Sequence, residues 1–281
     1  MAVPAHRSAA PRRHQRRRPV RLITAGRLCG AALIALAWLG YDRLMSAPEL
    51  MVEPSSVTVV GLGLTPADEA RAALALGSQP RNVLLLRPSQ MERALLSLPT
   101  VGAAQVNVTL PNHVAVSISE REPLFALRRP AGVWLVDAEG VLFHQLPAGT
   151  APAGLPELVD ARSGSELPAA VGDSVDPVDM AATARLLAIT PAMVGSADER
   201  LSLAVDDADG FVLRATPAGW RAVFGFYTPT LRQVDIIPRQ VECLRALLAA
   251  EPDASVIYLE PNADRCGTYR PRTTPSPAPS A

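Results

Sequence analysis

One stretch of the sequence constrains the rest of the chain most. Leu22 to Tyr41 is a 20-residue apolar run with eight arginines in or before its first turns and no acidic residue before Asp42. As an α-helix it would be about 30 Å long, which matches the hydrocarbon thickness of a bilayer. Because arginine-rich flanks tend to stay cytoplasmic, we predict a cytoplasmic basic tail at 1–21, a transmembrane signal anchor at 22–42 and an extracytoplasmic remainder.

The apolar run has two other interpretations. A buried helix of a soluble protein is disfavoured because no acid compensates the arginines. A cleavable signal peptide would use Leu28 to Leu39 as its apolar core and Met45 to Ala47 as a weak cleavage site. We favour an uncleaved anchor, in which Arg27 lies near the cytoplasmic end and reaches the headgroups.

Charge is divided along the chain. Lys+Arg and Asp+Glu each total 27, but residues 1–27 hold eight arginines and no acid, so acidic residues outnumber basic ones in the remainder. Beside an apolar helix, anionic lipid is a simpler partner for this positive charge than nucleic acid. We therefore expect membrane contact and no nucleic-acid binding. About 240 residues follow the anchor, enough for one large or two modest domains.

The first extracytoplasmic segment has the pattern β-α-α-β-β. Ser55 to Val60 is β-branched and predicts a strand, Thr65 is a candidate helix N-cap, and Ser89 with Glu92 forms a capping-box pattern. Apolar residues, from Val106 to Leu110 and again from Val114 to Ile118, alternate with polar or small ones on both sides of Pro111 and Asn112. Period two on both sides of a turn predicts a hairpin with one buried face.

The following segment predicts a mixed β-sheet with packed helices. Acidic turns ending in glycine, Asp137 to Gly140 and Asp206 to Gly210, lie between strand patterns and predict hairpins. Gly149 to Gly172 is rich in Pro, Gly and Ala and is expected to be a loop. Helices are predicted from Asp176 to before Pro191 and from Pro238 to about Ala250.

A search for chemistry finds no catalytic motif. The histidines lack metal-ligand spacing, and the acidic turn before Gly210 lacks the distal glutamate of a calcium loop. No glycine-rich phosphate loop or nucleophile elbow occurs. We predict no catalytic residue, cofactor, metal or small-molecule substrate. A membrane-anchored or secreted extracytoplasmic enzyme stays open as an alternative.

Four sequence pieces carry a family resemblance: VTVVG, NVLLL, LLSLPTVGAAQVNVTLPNHVAVSISEREPLFAL and WLVDAEGVLF. Following a basic tail and one anchor, this order resembles the FtsQ/DivIB family of bacterial cell-division proteins, best over Ser55 to Phe143. The resemblance implies an α+β protein with a linker at 43–54, a POTRA domain at 55–122, a β domain at 123–262 and a C-terminal edge and tail at 263–281.

The same resemblance implies a function. The implied protein is a non-enzymatic, single-pass divisome protein of the cell membrane, located at the septum. It would bind FtsB/DivIC-like and FtsL-like partners outside the membrane. A POTRA-bearing assembly factor is a further alternative, although such proteins normally carry tandem modules or a membrane barrel.

In proteins resembling this one, a partner strand adds to the edge of the second domain's sheet. The residues that match this partner site are Val256, Tyr258, Glu260, Arg265, Thr268 and Tyr269. The family's acidic residue followed two positions later by a basic one is absent, since Tyr258 and Glu260 occupy those positions. The proline-rich end from Arg270 is expected not to extend the sheet. Thr268→Pro is expected to weaken partner capture at an unchanged melting temperature.

The cysteines fall in two regions. Cys29 lies in the anchor, whereas Cys243 and Cys266 lie outside it, where a disulfide can persist. Closing this loop would contribute roughly 3 kcal/mol. Burial of an unbonded Cys243 in its helix face is the alternative.

Overall fold

The computed structural model describes residues 20–77, 79–147, 150, 154–166, 169–196, 200–217, 219–230, 232–260 and 266–272. Most of the predicted basic tail, Arg265 and the end of the chain from residue 273 lie outside these ranges. The described residues fall into two compact units: one holds those up to Val57 with 79–86 and 108–114, and the other holds the rest.

Five α-helices occur in the described ranges: α1 (Val20–Met45), α2 (Ala67–Ala73), α3 (Pro88–Leu96), α4 (Pro177–Leu187) and α5 (Ile237–Ala250). The same ranges contain fourteen strands: β1 (Met51–Val52), β2 (Thr58–Val60), β3 (Arg81–Asn82), β4 (Val101–Thr109), β5 (His113–Glu120), β6 (Phe125–Arg129), β7 (Gly132–Val136), β8 (Leu142–Leu146), β9 (Glu157–Asp160), β10 (Arg200–Asp206), β11 (Gly210–Thr216), β12 (Arg221–Gly225), β13 (Ala254–Tyr258) and β14 (Thr268–Pro271).

In the first unit, the end of α1 is tied to β3. The side-chain amide of Asn82 donates to the carbonyl oxygens of Leu44 at 2.9 Å and Met45 at 3.0 Å. These are helix-end carbonyls that lack intrahelical partners. Strand β1, which lies within the segment 43–54 predicted as a linker, pairs antiparallel with β3. Two residues are too few to show a strand pattern.

The length and hydropathy of each described helix were compared with those of a membrane span. No helix within the described ranges is long and apolar enough to qualify as a membrane span.

A three-stranded sheet has the order β2-β5-β4, with β2 parallel to β5. Together with α2 and α3, it gives the predicted order β-α-α-β-β. The predicted buried face of the hairpin is present, since Val106, Val114, Val116 and Ile118 are all buried. Leu110 is exposed, contrary to the pattern, because β4 ends at Thr109 and leaves Leu110 in the turn.

The helix caps predicted at Thr65 and at Ser89 with Glu92 were wrong. The N-cap of α2 is Pro66, not Thr65. The N-cap of α3 is Arg87, and no side chain makes a cap hydrogen bond there. Glu92 instead accepts the N–H of Val106 at 2.9 Å. The carboxylate of Glu92, which the local pattern assigned to a helix cap, therefore binds a backbone N–H of a different element.

The large sheet has nine strands in the described ranges, in the order β14-β13-β12-β11-β10-β9-β6-β7-β8. It is mixed, because β9 runs parallel to both β6 and β10, and β12 runs parallel to β13. Strand β9 contradicts the predicted loop at Gly149 to Gly172. This strand has four residues, with an acidic residue at each end. Its two apolar residues, Leu158 and Val159, are adjacent, so the sequence shows no alternation of apolar and polar residues.

Helices α4 and α5 contribute to the main core. Helix α4 begins where the sequence predicted, and Asp176 caps it by accepting the N–H groups of Val178 and Asp179. Both predicted acidic hairpin turns are present, between β7 and β8 and between β10 and β11. The largest fully buried core side chains include Trp134, Phe125, Phe143, Phe211, Phe224, Leu186 and Leu203.

Candidate partner-binding edge

Strand β14 forms one edge of the nine-stranded sheet. It pairs antiparallel with β13, from Tyr258 opposite Thr268 to Ala254 opposite Pro271. The strand therefore continues through Arg270 and Pro271, which the sequence had placed beyond the sheet. The prediction failed because proline is tolerated on an edge strand when its missing N–H would point away from the neighbouring strand.

The pleat of β14 determines which backbone groups face outward. The N–H of Arg272 donates to the carbonyl oxygen of Asp253 at 2.8 Å, so position 272 faces the sheet. In an antiparallel strand, alternate residues turn both backbone polar groups toward the same side. Thr268 and Arg270 therefore face β13, whereas Tyr269 presents its N–H and C=O on the outer side. Within the described ranges, no strand pairs with that side.

One face of the edge gathers several of the predicted partner residues. Ile257 and Leu259 are buried, whereas Val256, Tyr258 and Glu260 are only partly buried and alternate with them. Residues directly opposite in an antiparallel pair share a face. Thr268, opposite Tyr258, therefore lies on this more open face.

Arg270 also belongs to this face, although it is not among the partner residues predicted from sequence. Its guanidinium carbon lies 5.6 Å from the centroid of the Tyr258 ring, a cation–π arrangement. Arg270 is opposite Val256 and therefore belongs to the same face. The alternation of Thr268 and Arg270 around Tyr269 was the available signal, but the proline-rich sequence from Arg270 predicts that the sheet does not extend there.

The side chain of Tyr269 points to the other face. It is opposite Ile257, and its hydroxyl donates a hydrogen bond to Glu251, the residue that ends α5. This hydrogen bond raises the pKa of Tyr269. The side chain of Tyr269 is therefore held by an intramolecular hydrogen bond, while its backbone N–H and C=O are directed outward.

A disulfide lies immediately before the edge strand. Cys243 on α5 is bonded to Cys266, with Cα atoms 4.9 Å apart, and Cys243 is also buried. Between this bond and β14, Gly267 has φ +142°, and a Cβ there would lie 2.0 Å from the carbonyl oxygen of Tyr258. The approach to β14 is therefore fixed by a covalent bond and by a position that only glycine fits.

The opposite edge of the sheet is different. Leu142 at the start of β8 accepts the N–H of Gly172 at 2.7 Å and donates to the carbonyl oxygen of Asp173 at 2.8 Å. Part of this edge is consequently covered by the chain itself. Strand β14 is the edge better suited to an added strand.

The acidic clusters have structural roles. Asp160 is buried and accepts hydrogen bonds from Arg162 at 2.9 Å and Arg129 at 3.1 Å. Burial raises the pKa of Asp160, but the bonds and charges of Arg162, with the charge of Arg129, lower it overall. Arg162 also binds Asp179 on α4 at 2.6 Å. In the described ranges, no group of three or more His, Cys, Asp or Glu residues is arranged to hold a metal.

Two residues from the motif Glu120 to Pro123 bind backbone groups. The carboxylate of Glu120 accepts the N–H groups of Gly63, Leu64 and Thr65 at 2.9, 2.8 and 2.7 Å. Arg121 donates to the carbonyl oxygen of Pro99 at 3.0 Å and pairs with Asp137. This part of the sequence resemblance is thus used for internal structure.

Comparison with known proteins gives a consistent result. The family described as the POTRA domain, FtsQ-type, matches residues 52–121. Cell division protein FtsQ of Chloroflexus aggregans is 29% identical over 189 residues, covering 64% of this chain and 66% of that protein. Cell division protein FtsQ of Corynebacterium glutamicum is 27% identical over 144 residues, covering 50% of this chain and 62% of that protein.

A third protein, cell division protein FtsQ of Chloroflexus aurantiacus, is 25% identical over 173 residues, covering 62% of this chain and 61% of that protein. Each match spans less than two thirds of the relative's length. The POTRA match covers the segment with the β-α-α-β-β order, which precedes the strands of the large mixed sheet in the chain. The FtsQ-type POTRA match and the three FtsQ relatives support placing this chain in the FtsQ/DivIB family of bacterial cell-division proteins.

Proposed function

We propose that this protein is a non-enzymatic scaffold of the division septum. It is anchored by a single membrane helix, and its extracytoplasmic part captures FtsB/DivIC-like and FtsL-like division proteins. The first of these partners adds a strand to the outer side of β14. Family membership supports a role in division, and the properties of the β14 edge support this mode of capture.

The observation that carries the proposal is the outward-facing backbone of Tyr269. An exposed edge with free backbone donors and acceptors is a template for another strand. The Cys243–Cys266 bond and the Tyr269–Glu251 hydrogen bond hold this edge in place before any partner arrives. Such preorganisation lowers the ordering cost of binding.

The open face of β13 and β14 supplies the selectivity. A strand added beside β14 would place alternate side chains next to Thr268 and the stacked pair of Arg270 and Tyr258. Val256 and Glu260 extend the same face along β13. The family's acidic and basic charge pattern is not needed for this contact, because main-chain hydrogen bonds supply its affinity.

The membrane anchor rests on the sequence from Leu22 to Tyr41 and on the arginines before it. Helix α1 spans this run, and large apolar side chains in its later part are exposed: Leu33, Ile34, Leu36, Trp38 and Leu39. A bilayer would cover them. The arginine block orients the N-terminus toward the cytoplasm, so a reporter that works only outside the cytoplasm should be active when fused after Ala281.

The backbone proposal is tested with two substitutions at one position. Tyr269→Pro removes the outward N–H, whereas Tyr269→Ala removes the side chain and keeps the N–H. With the purified extracytoplasmic segment of the FtsB/DivIC-like partner, Tyr269→Pro should weaken affinity about tenfold more than Tyr269→Ala, since one partner carbonyl loses its donor. Equal affinities of the two variants would place the interface elsewhere.

The register changes the expectation for Thr268→Pro. Because the N–H of Thr268 faces β13, proline there removes a hydrogen bond within the sheet. This variant should lower the melting temperature as well as partner affinity, which makes it less informative than the pair at Tyr269.

A further inference from the structure

The turn after β3 presents two leucines to solvent. In the short 3-10 turn Val83–Leu85, Val83 is 3% exposed, whereas Leu84 is 45% and Leu85 is 61% exposed. The turn is held by the Asn82 side-chain oxygen, which accepts the N–H of Leu84 at 2.9 Å. Leu84 and Leu85, together called the leucine tip, are therefore held outward by a fixed backbone.

The leucine tip is close to the end of α1. Asn82, two residues before Leu84, donates its side-chain amide to the carbonyl oxygens of Leu44 and Met45. Pairing of β1 with β3 adds a second tie in the same compact unit. The position of the tip is thus set by the position of the helix end.

The length of α1 sets the depth of that end. If Leu22 to Tyr41 fills about 30 Å of hydrocarbon, the last four residues of α1 extend about 6 Å farther. The headgroup layer on each side of a bilayer is about 5–7 Å thick. The end of α1, and with it the leucine tip, would lie within this layer.

Charge near the tip fits the same surface. Arg43 in the last turn of α1 and Arg81 beside Asn82 are exposed. Arginines at this depth are attracted to anionic headgroups, while leucines enter the boundary between headgroups and acyl chains. Leu110, which is 63% exposed, belongs to the same compact unit.

We propose that the leucine tip inserts into the outer surface of an anionic bilayer and docks the module on the membrane from which its anchor emerges. The inference rests on the membrane anchor of the proposed function. It adds a second membrane contact, made by Leu84 and Leu85 and oriented by Asn82.

Quenching by brominated lipid tests this contact in the full chain. The chain is placed in nanodiscs of phosphatidylglycerol and phosphatidylcholine, with bromine near the headgroup end of the acyl chains. Leu85→Trp is introduced together with Trp38→Phe, leaving Trp134 and Trp220, which are 1% and 4% exposed, as a buried background. Met193→Trp, at a 47% exposed position of another 3-10 turn, is the matched control.

The expected result is a loss of emission from Leu85→Trp and none from Met193→Trp. In the unsubstituted chain, quenching of Trp38 reports the anchor separately. If Trp38 is quenched in the unsubstituted chain but Leu85→Trp is not quenched in its variant, the inserted leucine tip is refuted and the membrane anchor is supported. Equal quenching of Met193→Trp would also overturn it, whereas an unquenched Trp38 would refute the anchor and the inference together.

Discussion

Glu120 provides the sharpest test of the internal structure. Its carboxylate accepts three backbone N–H groups, from Gly63, Leu64 and Thr65. Burial raises the pKa of Glu120, but the three backbone bonds outweigh this effect and lower the pKa from 4.5 to about 2. Glu120→Gln keeps the size of the side chain and removes its charge. It should therefore loosen the segment before α2.

The size of the effect follows from the pKa. A shift of this size corresponds to an upper bound of about 3.4 kcal/mol, at about 1.36 kcal/mol for each pKa unit. The carboxylate is only partly buried, so solvent screening reduces the expected loss to about 1–2 kcal/mol. That loss corresponds to roughly 5–30-fold faster opening-limited hydrogen exchange at Gly63, Leu64 and Thr65.

The pH dependence has a definite sign. Because the folded-state pKa of Glu120 lies below its unfolded value, this stabilisation is present above about pH 4.5 and is lost as the pH falls toward 2. Hydrogen exchange measured by mass spectrometry, corrected for intrinsic rates, should show this dependence in the native chain and not in Glu120→Gln. Glu122→Gln, at a neighbouring exposed position, is the control. Unchanged exchange in Glu120→Gln would refute the reasoning.

Two further predictions concern the approach to β14. Under denaturing, non-reducing conditions, protein made outside the cytoplasm should show one free thiol, from Cys29, and two blocked thiols; three free thiols would contradict the Cys243–Cys266 bond. Reduction should cost about 2–4 kcal/mol in a urea unfolding experiment. Gly267→Ala should cost about 1–3 kcal/mol, because its Cβ would meet the Tyr258 carbonyl oxygen, whereas Gly164→Ala has nothing within 4 Å of its Cβ and should change little; equal stabilities would contradict the packing at Gly267.

The elements that could be predicted from sequence are those defined by local patterns. The hairpin of β4 and β5 follows from alternation, and Asp176 caps α4 through neighbouring N–H groups. Acidic turns ending in glycine place Gly140 and Gly210 at positive φ, which a hairpin turn requires and glycine adopts without strain.

The parts that sequence reasoning missed depend on residues far apart in the chain. Glu120 lies more than fifty residues from the N–H groups that it binds, so no local capping rule identifies it. Strand β9 is stabilised by parallel neighbours on both sides and by the pairing of Asp160 with arginines, none of which gives a periodic pattern. The partner residues at Val256, Tyr258 and Thr268 were located by resemblance. The side to which each backbone group points required the register with β13.

The exchange rate of one amide proton tests the central claim most directly. Without a partner, the N–H of Tyr269 should exchange rapidly, whereas those of Thr268 and Arg270 should be protected by β13. Saturation with the FtsB/DivIC-like segment should slow exchange at Tyr269 strongly and change the other two little, as followed by NMR. A Tyr269 N–H that still exchanges rapidly in the saturated complex would contradict strand addition at β14.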